Sequence, residues 1–224
     1  MDAEGIITVL EISQYTFAEA GSSACTPISC SAVAALLERL DTGRSVNDVP
    51  FLTDVIISGV SGYGSLSHGA QNINHLSVEE FYSASIDLKT NIRQIGESFQ
   101  GLLTKRNAFM EMINTAREII SNSSSSRNKH IGLVITKPPE TVCVTIPPLD
   151  SAVGEATYSF FDSHSRPEHG ITGSYLVTSR NIDSILLRLA AIFPECPDAL
   201  DSGDQDSYMQ MMYSTFECTV FQRV

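Results

Sequence analysis

The sequence predicts an α+β fold, a helical front half packed on a mostly antiparallel sheet, and three observations carry that expectation. An apolar stripe of helical period runs through Ile28, Ala32, Leu36, Leu37 and Leu40, and a second through Leu102, Phe109, Ile113, Ala116 and Ile120. Short β-branched runs dominate after residue 130. Runs of one type followed by runs of the other are the pattern of α+β rather than alternating α/β architecture.

Taken in order, Ile6 to Leu10 is apolar and β-branched and reads as a strand, and residues 11–24 turn small and polar, as a loop does. Thr26 and Pro27 suit the N-cap and first turn of the first helix, which stops near Gly43 and places Cys25 at or just before its N-terminus. Residues 58–77 are rich in Gly, Ser, Asn and His and are expected to be irregular. Helices are predicted from Val78 to Ser85 and from Leu102 to Ile120, and the serine-rich stretch 121–128 is expected to be a flexible connector. Strands follow at 131–136 and 141–146, joined by a turn at Pro138-Pro139, and then at 157–163 and 173–178. Ile182 to Phe193 forms an amphipathic helix that stops at Pro194. An exposed acidic loop is expected at 195–207, and a last strand at 216–221.

The length, 224 residues, fits a single domain over 1–224. With 14 basic and 26 acidic residues the net charge is −12, which argues against nucleic acid and favours a basic partner. No apolar run reaches the roughly 18 residues of a membrane span, and the acidic start Met1-Asp2-Ala3-Glu4 is unlike a signal peptide. The five cysteines are scattered and contain no C-x-x-C pair, so neither a disulfide framework nor a zinc site is expected. Together these features predict a cytoplasmic or nuclear protein without metal or cofactor.

Chemistry is expected at Cys25, because a thiol near a helix N-terminus meets the positive end of the helix dipole, which favours the thiolate. A lone cysteine there is ordinarily a small buried hydrophobe, the role assigned to Cys30, Cys143 and Cys218. The candidate base is His164 in Phe160-Phe161-Asp162-Ser163-His164, where Asp162 and His164 share one face of a strand end. Asp-x-His is also a common surface pair. His169, beside Glu168, is a rival base; His68 and His75 lack the neighbours a metal site needs, and His130 is expected to be structural. Gln14 lies upstream of Cys25 on the same loop, where an amide side chain can serve as an oxyanion donor.

The stretch Gln14-Tyr-Thr-Phe-Ala-Glu-Ala-Gly21-Ser-Ser-Ala-Cys25, followed by an Ala/Leu-rich helix, resembles the N-terminal motif of the deubiquitinase domain of herpesvirus large tegument proteins and their cellular and bacterial relatives. Phe160-Phe161-Asp162-Ser163-His164 is similar to the second motif of that family, and about twenty residues carry the likeness. The resemblance implies a papain-like cysteine protease cleaving after the C-terminal glycine of ubiquitin. It implies Cys25 as nucleophile, His164 as general base and acid, Asp162 as orienting carboxylate and Gln14 as oxyanion donor. Gly21 and Ser22 would line the cleft for a glycine-ended tail, and ubiquitin or a ubiquitin-like modifier would be the partner. Two alternatives stand beside it: a papain-like peptidase or acyltransferase acting on another substrate, and a non-catalytic binding module.

Overall fold

The computed structural model describes residues 5–17, 21, 23–67, 75–103, 107–151, 156–194 and 214–224. Among these lie eight strands: β1 (Ile6–Val9), β2 (Ile92–Gln94), β3 (Phe99–Leu102), β4 (Ile131–Lys137), β5 (Glu140–Ile146), β6 (Tyr158–Asp162), β7 (Tyr175–Ser179) and β8 (Thr215–Arg223). They form one antiparallel sheet in the order β1-β7-β6-β5-β4-β8-β2, with β3 also paired to β8. Six helices accompany it: α1 (Cys25–Asp41), α2 (Val49–Ser67), α3 (Val78–Ala84), α4 (Ile86–Asn91), α5 (Ala108–Asn122) and α6 (Ile182–Ile192).

Helices cover both faces of the sheet. Period-two alternation sends Leu133, Val144, Phe160 and Val177 to the face under α5 and α6, and Val134, Cys143, Phe161 and Leu176 to the face under α1 to α4. Every residue of β6 and β7 is therefore buried. α1 is the central helix, with ten of its side chains buried and its length laid on β4 and β5.

Several expectations are corrected. α1 begins at Cys25 itself, with Ala24 as N-cap and no capping side chain, so Thr26 lies inside the first turn rather than capping it, while Pro27 falls in the first turn as expected. Residues 58–67, expected to be irregular, belong to α2, because packing against α1 outweighs the low helix propensity of Gly59, Gly62 and Gly64. A Cβ at Gly59 would stand 2.5 Å from the Ile28 Cα, so the two helices meet there through a residue with no side chain. β3 takes Phe99 to Leu102, and the helix predicted from Leu102 starts at Ala108. The front half thus contributes three strands to the sheet. The serine-rich connector is pinned where Gln222 Nε2 donates to the Ser126 carbonyl at 2.8 Å. Residues 68–74 and the acidic stretch 195–207 lie outside the described residues, as do Ser22, His68 and Cys196. No helix among the described residues is long and apolar enough to cross a membrane.

Candidate functional site

The first turn of α1 sits over the β4–β5 turn, and hydroxyl contacts fix it there. Thr26 Oγ1 and Thr141 Oγ1 are 2.9 Å apart, and Ser29 Oγ donates to the Thr141 carbonyl at 3.0 Å. Thr136 Oγ1 lies 3.2 Å from the same Thr141 hydroxyl. Cys25, 2% exposed, thereby has its sulfur 3.7 Å from the Pro139 carbonyl and facing the N–H and hydroxyl of Thr141.

His164 arrives from the far side. β6 ends at Asp162, and the chain turns so that both the main-chain N–H of His164 (2.9 Å) and its ring Nδ1 (2.6 Å) meet Asp162 Oδ1. The pair is thus joined by an Asx turn at the strand end rather than by a strand continuing through it. With Nδ1 engaged, the other ring nitrogen is left for the Cys25 thiol, and the two side chains act on each other electrostatically. The sequence-derived candidates Cys25, Asp162 and His164 are brought into one buried chain of contacts.

The electrostatics follow from that chain. Burial works to raise the Cys25 pKa, but the hydrogen bond and charge of His164, with the Thr141 groups, outweigh it and hold the thiol below its ordinary value. Burial likewise disfavours a charged His164 ring, yet the hydrogen bonds to Asp162 and Cys25 and the charges of Asp162 and Glu140 raise it to about 9. Asp162 is fully buried, which would raise its pKa, and the contacts with His164 and Arg166 nonetheless hold it below the usual carboxylate range. The arrangement favours a thiolate beside an imidazolium, the thiol being lowered and the ring raised by their shared contacts.

Gln14 opens a short 3-10 turn, Gln14–Phe17, and is stapled to the residue before His164. Its N–H donates to the Ser163 carbonyl at 3.0 Å and its amide oxygen accepts from Ser163 Oγ at 2.8 Å. Gly21 is buried, and a Cβ there would overlap the Gln14 carbonyl oxygen, so the loop closes on itself through a glycine. The Gly21 carbonyl in turn accepts from the Ala24 N–H at 3.2 Å, linking Gln14 to the start of α1.

Four neighbours were not picked out from the sequence. Arg166 donates Nε to Asp162 Oδ2 at 2.8 Å and reaches Glu140 with both terminal nitrogens, at 3.0 and 2.7 Å. Thr141 anchors the helix turn beneath Cys25. Tyr15, 53% exposed, lays its ring 5.9 Å from that of His164. Glu140 and Thr141 meet partners remote in the chain, so no local pattern signals them, whereas Tyr15 lies within the first motif and Arg166 four residues after Asp162.

The other candidates stand apart. His169 Nε2 lies 3.9 Å from Glu168 on the turn Pro167–His169, and His130 is bonded to Asp41 at 2.7 Å. Cys30, Cys143 and Cys218 are free and buried, and burial pushes the pKa of each upward. No group of three or more His, Cys, Asp or Glu that could hold a metal occurs among the described residues.

No family model and no curated protein sequence matches the chain. Its fold is similar to that of a solved structure, the ubiquitin-specific protease encoded by a murine cytomegalovirus tegument protein in complex with a ubiquitin-based suicide substrate. The likeness has a TM-score of 0.64 at 12% sequence identity and covers 98% of this chain and 87% of the other, so what the two share is an architecture.

Proposed function

We propose that the chain is a papain-like cysteine protease that hydrolyses the isopeptide bond after the C-terminal glycine of ubiquitin, with Cys25, His164 and Asp162 as its triad. The observation that carries the reading is the buried contact series from Cys25 through His164 to Asp162, in a fold similar to that of a viral ubiquitin-specific protease.

In this reading the Cys25 proton moves to His164, and the thiolate attacks the carbonyl carbon of the terminal glycine. The carbonyl oxygen becomes an oxyanion that accepts from the Gln14 amide and the Cys25 main-chain N–H. The tetrahedral intermediate collapses with cleavage of the C–N bond, and His164 returns its proton to the leaving lysine amine. Water, deprotonated by His164, then attacks the thioester, releasing the ubiquitin carboxylate and restoring the Cys25 thiol. Asp162 holds the ring tautomer and the imidazolium charge throughout. Gly21 would flank the tail by keeping the loop close to Gln14.

Turnover of ubiquitin carrying a fluorogenic amide on its terminal glycine tests this directly. Release of the fluorophore by the wild type and its loss in Cys25→Ala are expected. Release of fluorophore from short unrelated peptides but not from ubiquitin would favour the general peptidase instead.

A further inference from the structure

Arg166 is buried, 9% exposed, two residues beyond His164, and its main chain is pinned. The Arg166 N–H donates to the Ile171 carbonyl at 2.7 Å, and the Ile171 N–H donates back at 2.9 Å. This holds the guanidinium between two carboxylates. Nε bonds Asp162 Oδ2 at 2.8 Å, while the two terminal nitrogens make a bidentate pair with Glu140 at 3.0 and 2.7 Å. Such planar fork contacts fix orientation as well as charge.

The two carboxylates belong to opposite sides of the candidate site. Asp162 holds the His164 ring. Glu140 opens β5, between Pro139, whose carbonyl lies by the Cys25 sulfur, and Thr141, whose N–H and hydroxyl face it. A tie from Glu140 to Asp162 therefore spans the turn beneath the thiol and the strand end that carries the imidazole.

We propose that Arg166 and Glu140 form a positioning clamp that sets both the spacing and the charge balance of the Cys25–His164 pair. The inference rests on the reading of that pair as the working one. Asp162 alone could orient the ring, but fully buried it needs a compensating cation to remain ionised. Arg166 adds a second cation to the His164 imidazolium beside Asp162, and Glu140 cancels the excess so that the thiolate–imidazolium pair is neither over-stabilised nor repelled.

The charged and titratable groups facing the pair are Asp162, Arg166, Glu140, Tyr15 and, behind Cys25, Cys30, with Tyr175 and Cys143 against Asp162. Arg166→Gln removes a positive charge, so the Cys25 thiolate forms at higher pH; Glu140→Gln removes a negative one, so it forms at lower pH. The rate of iodoacetamide alkylation, followed on the Cys25 peptide by mass spectrometry across pH, should show acid limbs displaced in opposite directions, each by on the order of one unit. Arg166→Lys keeps the charge but not the fork, and should leave the limb in place while turnover of the ubiquitin amide falls.

Acid limbs of Arg166→Gln and Glu140→Gln that both superpose on the wild type would overturn the clamp and leave Arg166 a packing residue. Glu140 is partly exposed and its change to Gln is isosteric, so this variant decides the matter alone if Arg166→Gln does not fold. A wild type that alkylates at Cys25 but ignores ubiquitin reagents would count against the deubiquitinase reading and not against the clamp.

Discussion

Asp162 has no exposed surface, and an isolated carboxylate in that position would take up a proton. It stays ionised because its two oxygens divide the work: Oδ1 receives His164 and Oδ2 receives Arg166. Asp162→Asn keeps the shape but offers the ring an amide whose tautomer demand is wrong, so turnover of a ubiquitin amide should fall by about 10⁴-fold with the fold intact. A fall of less than tenfold, measured on protein with an unchanged unfolding midpoint, would remove Asp162 from the mechanism. The same contacts set a pH window. His164 is raised to about 9, so the imidazolium persists below that value and is lost as pH rises through it. Cys25 is lowered, so its thiolate persists above a pKa below the ordinary thiol value and is lost as pH falls through it. The rate of ubiquitin-amide hydrolysis should therefore be bell-shaped, with its alkaline limb near 9; a rate still climbing well above that pH would contradict the ion pair. At this scale the sequence was informative about Cys25, His164 and Asp162, since small residues before a helix and Asp-x-His after an aromatic strand are local patterns. Glu140 was not legible, because its partner lies 26 positions away.

At the scale of elements, the site depends on where α1 is set down. Its N-terminus carries no capping side chain, and the hydroxyls of Thr26 and Ser29 reach the Thr141 side chain and carbonyl instead. Thr141→Val preserves volume but leaves the buried Thr26 hydroxyl without its partner. It should cost about 1–2 kcal/mol of stability and raise the pH at which Cys25 alkylates; an unchanged alkylation profile would mean Thr141 only packs. The helix is also fixed from above by α2, where Gly59 meets the Ile28 main chain. Gly59→Ala adds a methyl with nowhere to go and should lower the urea midpoint, by about 1–3 kcal/mol in stability, despite the better helix propensity of Ala. A stabilised variant would show that the helices separate freely. That contact also explains why α2 was illegible: its glycines and serines read as loop, and tertiary packing supplies what propensity withholds. β4, β5 and β7 were legible because β-branched runs bounded by Pro and Gly leave little alternative. β3 was hidden by the helical spacing that Leu102 shares with Phe109.

For the molecule as a whole, the sheet brings the site together by joining distant parts of the chain: residue 14 to 163, 25 to 139 and 140 to 166. An α+β composition could be read from runs of periodicity, but the strand order and the helices on both faces come from long-range pairing that no window of sequence contains. The net charge of −12 is a property of the same scale. If it steers a basic modifier toward the site, the second-order rate with ubiquitin reagents should fall as ionic strength shortens the screening length to about 8 Å at physiological salt, and a salt-independent rate would remove that role. Ubiquitin bearing a C-terminal alkyne or vinyl electrophile traps a working thiol covalently, and the mass of the intact product reports whether Cys25 is that thiol. One ubiquitin per chain, attached at Cys25 and absent in Cys25→Ala, is expected; no adduct in the wild type, or an adduct that survives in Cys25→Ala, would rule out Cys25 as the nucleophile of a deubiquitinase.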